Sequence, residues 1–591
     1  METRWIINKS DPQAVEKISR ILGCPATIAT ILVNRGVTTP EEAFLFMNPS
    51  MTHLKDPFTI KDMKKAVMRI YDAIRNRERI LIFGDFDADG ITATSLLNDF
   101  LCHAGAEVSW YIPHRIKEGF SLKPIHIEMA VEQKQDLIIT VDCGSDSFDA
   151  VRAAMMEDID VIITDHHELA SRPPPALALV NPKRGDCGSG LRHLAGVGVA
   201  LYLVIALRRY MREQGFWNHD IEEPNLMASC DLFAIGTIAD MVPLKDENRI
   251  LSRAGMGIIR EGKREGLRAL AEVSKIDPDR LSSEDISFRI APRINAAGRM
   301  SHGRICVDLL TETDRLKARQ GASILDELNK KRQEVEKSIV DDIERRVERE
   351  PSILKGSSIV MHSPDWSSGV SGIAASKAAR QYCRPVVLIS TARSPATGSC
   401  RSVNSINIHD CLVRCRDLLE NFGGHAMAAG ITIRHDNIEK FALMFDEEVR
   451  RRSPEEGVIK TLVMDAVIDI REITGAFVEA VESLTPFGAG NPEPIFQSCG
   501  LKVVSTVMLG TRHRKMVLQN EGNSPGGEQF SIQGNSPGGE TFSIEALQFN
   551  IDPGIPAPSR FERIAFKVRM NRFNRKNVPQ IIIEDVHGGS G

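Results

Sequence analysis

Three short apolar runs in this chain each end in side chains that can hold a cation or move a proton. RILIFGDFDADG sets the apolar residues 80–83 ahead of Asp85, Asp87 and Asp89. DLIITVDCG sets residues 137–141 ahead of Asp142, and DVIITDHHE sets residues 161–163 ahead of Asp165, His166 and His167. Each group alone has an ordinary explanation: an Asp-rich turn, a helix N-cap, polar surface histidines. Together they do not. In an open parallel sheet the ligand crevice lies outside the carboxyl ends of the strands, so three such strands deliver their carboxylates and imidazoles to one edge. Crowding that many carboxylates is costly unless cations neutralise them. A centre of two divalent ions is the economical answer. Oxygen ligands suit Mg²⁺ or Mn²⁺, and the two imidazoles tilt the preference toward Mn²⁺.

The elements that position these groups follow from the pattern around them. DMKKAVMRIYDAIRNRER (62–79) spaces its apolar residues as an amphipathic helix leading into the first strand. Residues 1–78 read as a helical N-terminal region. From 79 to 245 apolar runs alternate with helical stretches, the grammar of a parallel α/β domain. Residues 246–350 read as a helical connector ending in a charged helix over 313–350, solvated except for one apolar stripe. A second α/β lobe spans 351–455, with IVMHS and RPVVLIS as strands, and the β-rich remainder, 456–591, suggests a small barrel. Within it GNSPGGEQFSIQ is followed at once by GNSPGGETFSIE, a tandem repeat over 522–545 that reads as an expanded hairpin loop.

DFDADG, VDCG and TDHHE, with GTIADMVPL beyond them, resemble the four motifs of the DHH phosphoesterase superfamily. The resemblance implies two Mn²⁺ or Mg²⁺ ions held by Asp87, Asp89, Asp142, His166, His167 and Asp240, with Asp142 bridging and Asp85 and Asp165 orienting the ligands. Asp231 competes with Asp240, which closes GTIAD as the family motif does. Further strings in order, RINAAGRM, GSCRSVN, GGHAMAAG and LTPFGAGNPEPIF, narrow the resemblance to the RecJ exonucleases, from about residue 30 to the end. What this implies is an α/β fold: a parallel-sheet DHH catalytic domain, a helical connector, a DHHA1-like lobe and a C-terminal OB-fold barrel. It implies hydrolysis of single-stranded DNA from the 5′ end to 5′-mononucleotides in DNA repair and recombination, with Asp142, His166 and His425 at the chemistry. Arg115, Arg293, Arg299, Arg401, Ser402, Gly424 and His425 would bind phosphate. The sequence departs from the family at Ser367, where a His is usual.

Between 560 and 576 stand seven basic residues, among them Arg569, Arg572, Arg575 and Lys576, against the single acid Glu562. Cationic strands on a small barrel suit a single-strand groove, whereas the interleaved Phe561, Phe566 and Phe573 read better as core. The chain as a whole is slightly acidic, with 74 Lys+Arg against 79 Asp+Glu. That balance excludes a wholesale polyanion coater but not a local basic strip. The 11 Cys form no CxxC pair, no run approaches a membrane span, and METRWIINKSDPQ lacks the apolar core of a signal peptide. The expectation is a reduced, cytoplasmic enzyme without membrane contact. By resemblance it is a monomer, with a RecQ-type helicase and a single-strand-binding protein as partners. Two other readings stand beside this one. Small DHH enzymes cut oligoribonucleotides or cyclic dinucleotides but usually lack the connector and barrel, and non-catalytic relatives that only bind DNA have lost ligands that are all present here.

Overall fold

The computed structural model describes residues 3–169, 172–403, 406–453, 460–520, 542–552, 554, 556–572 and 577–587. The chain forms two compact units, one of residues 55–242 and 251–460, the other of 3–54, 243–250 and 461–591.

The first unit is built on a sheet of five parallel strands in the order Glu107–Tyr111, Arg79–Gly84, Leu137–Val141, Asp160–Thr164 and Ala178–Val180. The central strands are uninterrupted apolar runs because both faces are covered. Helices Pro124–Glu132 and Phe148–Met156 pack on one another, and Ala88–His103 packs against Gly196–Glu213 and Cys230–Ala239. From Arg79–Gly84 the chain steps to one neighbour, Glu107–Tyr111, and then crosses to the other, Leu137–Val141. The direction of winding reverses there, which opens a crevice at the carboxyl ends of Arg79–Gly84 and Leu137–Val141. Those two ends carry the Asp85–Asp87–Asp89 loop and Asp142.

A helical stretch leads from this domain to the 35-residue helix Arg315–Arg349, which buries one stripe, including Ala318, Ala322, Leu325, Ile339 and Ile343. The second lobe is a five-stranded mixed sheet in the order Leu419–Gly424, Ala428–Ile433, Ala396–Arg401, Val386–Ser390 and Ile359–Ser363. Only its last pair is parallel. Helix Ser368–Tyr382 packs on this sheet. Its first turn meets the helix Ala291–Met300 where Arg299 Nη1 donates to the Gly369 carbonyl at 2.9 Å.

In the second unit, strand Phe496–Leu509 pairs with both His513–Asn520 and Arg560–Asn571, which closes five strands into a barrel through Ser543–Gln548 and Val578–His587. Phe561 and Phe566 are buried in its core, as their spacing suggested, and Phe573 lies outside the described residues. The repeat falls between the paired strands His513–Asn520 and Ser543–Gln548, and all of it before Phe542 also lies outside the described residues. The stretch 1–78, read from sequence as one helical region, is divided. Residues 55–78 join the first unit, whereas Ile18, Ile28, Ile31 and Leu32 share a core with the barrel. Strand Arg4–Ile7 pairs parallel with Thr461–Met464, and a buried Arg35–Asp465 ion pair at 2.6 Å ties helix to barrel across 430 residues. Local pattern cannot reveal a partner that far along the chain.

Candidate metal centre

The acidic loop after the first strand folds into the start of a helix. Asp87 is the N-cap of Ala88–His103, its Oδ1 accepting from the amides of Asp89 (2.9 Å) and Gly90 (3.1 Å). Asn295 Oδ1 accepts from the Ala88 amide at 2.8 Å and pins the same turn from the connector. Asp142 ends its strand in the left-handed region, φ 61°, which turns its carboxylate toward the loop.

Around these groups the structure gathers the expected residues. His166 Nε2 lies 3.1 Å from Asp142 Oδ1, 3.7 Å from Asp240 Oδ2 and 3.8 Å from Asp89 Oδ2. Asp142, His166 and His167 present atoms within 4.8 Å of one another, and so do Asp89, His166 and Asp240, and Asp85, Asp87 and Asp142. Asp142 Oδ1, Asp85 Oδ1 and His166 Nε2 are buried without a hydrogen-bond partner among the described residues. Orphaned lone pairs converging in a buried site are what a cation would satisfy, so the donor set fits two divalent ions. Burial, and then the charge of neighbouring Asp residues, raises Asp85, Asp89 and Asp142 well above the usual carboxylate range, and raises Asp240 to about 7.

The two histidines are opposites. Burial, and then the charge of His167, pushes His166 down to about 3, so its imidazole is neutral at ordinary pH. Burial works against the charged form of His167 too, but the hydrogen bond and charge of Asp165 outweigh it and hold His167 at about 9. Asp165 accepts from the amides of Ser145 (2.9 Å), His166 (2.7 Å) and His167 (3.1 Å), and lies 2.8 Å from His167 Nδ1. That is the geometry of a carboxylate fixing a ligand imidazole with its other nitrogen outward. Asp85 differs. Its Oδ1 stands unpartnered among Asp87 and Asp142, so among the described residues it is not seen to hold a ligand side chain as Asp165 holds His167. Asp231 is engaged elsewhere, 2.8 Å from Arg264, which also pairs with Asp99.

Sequence reasoning missed two contributors. Gly196, in LAGVGVA, opens helix Gly196–Glu213, and its amide and that of Val197 donate to the two oxygens of Asp89 at 2.6 and 2.8 Å. A Cβ at Gly196 would stand 2.4 Å from Asp142 Oδ1. The second is Arg332, buried with Asn329 in the otherwise apolar stripe of the long helix, where it pairs with Glu336 at 2.6 Å while its charge reaches Arg299. The available signal was spacing alone, since Asn329 and Arg332 continue the three- and four-residue steps of Ala318, Ala322 and Leu325.

Arg332 belongs to a group of cations. Burial, and then the charge of Arg115, Arg401 and Arg332, lowers Arg299 to about 9. Arg115 stacks on Phe86 at 4.7 Å and feels the charge of Asp85 and Asp87. Arg401 Nε donates to Ser376 Oγ at 3.0 Å, and a Cβ at Gly372 would come within 2.8 Å of its Nη2. Guanidiniums such as those of Arg115, Arg299 and Arg401, gathered in one place, are of the kind that could hold a phosphate. The other expected phosphate contacts have other engagements. Arg293 is tied to Asp326 at 2.8 Å, and Ser402 Oγ donates to the Ile406 carbonyl at 2.6 Å. Gly424 adopts φ 138°, where a Cβ would strike Ala428 O at 2.4 Å, and it turns the chain so that the His425 ring is exposed. Ser367 is the N-cap position of helix Ser368–Tyr382.

The barrel's basic strip is largely neutralised. Arg569 pairs with Glu493 at 3.0 Å, Arg572 with Glu482, and Lys567 with Glu493 and Glu584, while Arg563 lies over the Trp5 ring. Arg514 is buried and Lys515 pairs with Glu545, whereas Arg575 and Lys576 lie outside the described residues. Among the described residues no helix is long and apolar enough to cross a membrane.

Family models match in three places: the DHH family N-terminal domain over 79–237, the DHHA1 domain over 355–451 and the RecJ OB domain over 464–585. The single-stranded-DNA-specific exonuclease RecJ of Bacillus subtilis is 35% identical over 586 residues, 98% of this chain and 70% of the relative. That of Escherichia coli K12 is 33% identical over 575 residues, 95% and 96% of the two chains. The crystal structure of RecJ in complex with Mn²⁺ from Thermus thermophilus superposes with a TM-score of 0.80 at 27% identity, covering 100% of this chain and 80% of that one. The Mg²⁺ complex from the same organism gives 0.74 at 25%, covering 100% and 79%. With near full-length identity above 30% and a DHH, DHHA1 and OB domain in that order, the chain belongs to the RecJ family of exonucleases.

Proposed function

We propose that this enzyme hydrolyses single-stranded DNA from the 5′ end, releasing 5′-mononucleotides, with two divalent metal ions as cofactor, and that it serves DNA repair and recombination. The observation that carries the reading is the buried cluster in which Asp142 Oδ1, Asp85 Oδ1 and His166 Nε2 converge without partners. Asp87, Asp89, Asp142, His166, His167 and Asp240 would hold the ions, Mn²⁺ or Mg²⁺. Bound there, two ions acidify a water and draw charge from the phosphate oxygens and the leaving oxygen.

The chain's own residues do the rest. Asp165 keeps His167 in the tautomer whose outer nitrogen can ligate, and the amides of Gly196 and Val197 hold both oxygens of Asp89. Burial keeps His166 free of protons that would compete for its lone pair. Arg115, Arg299 and Arg401 receive the terminal phosphate, which carries more charge than an internal one and so marks the 5′ end. His425, on its strained glycine turn, donates to the scissile phosphate. The RecJ OB domain match supports a second grip on the strand by the barrel, with Arg512 as an exposed cation there.

The test is digestion of 5′-labelled single-stranded DNA beside matched duplex and RNA, with Mn²⁺, Mg²⁺ or chelator. Labelled mononucleotide should be the first product, from single strands only, and chelator should abolish it. Product of intermediate length from the labelled end, or undiminished cleavage in chelator, would overturn the reading.

A further inference from the structure

A cavity of about 220 Å³ opens beside the metal centre, lined by Phe120, Ser121, Lys123, Asp146, Ser147 and Phe148 among others. It lies between the loops that follow strands Glu107–Tyr111 and Leu137–Val141, and Phe120 is the wall it shares with the cluster. The Phe120 ring meets His167 edge-on at 5.5 Å and Phe86 at 6.5 Å. Across the cavity Phe148 is covered by the Arg172 guanidinium at 4.3 Å. Its floor is polar and built. Ser121, buried in the left-handed region at φ 70°, places its hydroxyl 2.6 Å from Asp146 Oδ1 and 2.8 Å from Ser147 Oγ. No step assigned to the metal ligands or the arginine group uses these residues.

The geometry points to this cavity as the subsite for the base of the terminal nucleotide, a role that rests on the exonuclease reading above. With the phosphate held between the cluster and Arg115, one sugar bridges over Phe120 and its base enters beside it. The volume is below the roughly 300–1,000 Å³ typical of larger ligand sites, which suits a group the size of a single base. Two aromatic walls over a mixed donor and acceptor floor accept any base, since every base has a π-face to stack. The subsite therefore counts nucleotides without reading sequence.

The experiment compares kcat/KM for the first cleavage of two single strands in Mn²⁺, identical except that the 5′-terminal nucleotide carries thymine in one and is abasic in the other. The wild-type enzyme should favour the base-bearing strand about tenfold, within the range that base–aromatic stacking supplies. In Phe120→Ala and in Phe148→Ala the ratio should fall toward one, through a larger loss on the base-bearing strand than on the abasic one. Because the ratio is taken within each variant, partial misfolding lowers both rates and leaves it unmoved. A ratio of one in the wild type, or a wild-type ratio in both variants, overturns the subsite while leaving the exonuclease reading in place. No cleavage of either strand by the wild type would instead remove that reading, and the subsite with it.

Discussion

Replacing Gly196 by alanine should damage the metal centre from a position that carries no ligand. The added Cβ would stand 2.4 Å from Asp142 Oδ1 and 2.5 Å from its Cβ, where ordinary contact begins at 3.4 Å. Either Asp142 or the helix start must therefore retreat by about 1 Å, against a tolerance of roughly 0.2 Å for a ligand atom. If the helix start gives way, the amides of Gly196 and Val197 leave the Asp89 carboxylate instead. Both routes displace a carboxylate of the cluster. Loss of such support typically lowers metal affinity or activity roughly 10–100-fold, about 1.4 to 2.8 kcal/mol. Calorimetric titration of the chelator-treated protein with Mn²⁺ reads the affinity directly, and cleavage against Mn²⁺ concentration should show a matching rise in the half-saturating metal. Gly257→Ala is the control. Nothing lies within 4 Å of its Cβ, and inside helix Asp246–Glu261 it should raise stability by up to about 1 kcal/mol without touching the metal. Wild-type Mn²⁺ affinity and turnover in Gly196→Ala would refute the close-packing argument.

Asp231→Asn should cost about 1.5–3 kcal/mol in urea denaturation by weakening a buried pair to Arg264, which keeps Asp99, yet keep Mn²⁺ binding; Asp240→Asn should lose metal and activity without that loss of stability, and the reverse pattern would move the ligand to Asp231. In chelator, His167 at about 9 and Asp240 at about 7 bind more protons folded than unfolded, so between pH 6.5 and 9 the metal-free protein should lose stability as pH rises. Saturating Mn²⁺ should remove that loss by displacing the same protons, and a metal-free profile that rises with pH would contradict the assigned contacts. Arg401→Ala and Arg115→Ala should each cut the preference for a 5′-phosphorylated over a 5′-hydroxyl strand roughly tenfold or more, the worth of a charge-assisted hydrogen bond. Arg293→Ala, which loses ties to Asp326 and the Arg289 carbonyl, should leave that ratio alone; an unchanged ratio in the first two would place the end sensor elsewhere.

The acidic and imidazole groups of the centre were legible in sequence because each sits at the end of its own apolar run, and parallel strands bring such ends to one edge whatever the details of packing. The 35-residue helix, the strands Ile359–Ser363 and Val386–Ser390 of the second lobe and the buried Phe561 and Phe566 were legible for the same kind of reason: periodicity is local. What tertiary structure decided are contacts whose partners lie far apart in the chain. Gly196 reaches Asp89 across 107 residues, so its lack of a side chain means nothing until the helix start is set against the cluster. Seven basic residues counted against one acid looked like a free positive strip, but Glu482, Glu493 and Glu584 arrive from other elements of the barrel unit and neutralise much of it. Arg332 reads as one charge among many on a charged helix, and only the packing of the helix buries it where its charge reaches Arg299. Charge and small size take their meaning from distance, and distance across hundreds of residues is set by the packing of the cores.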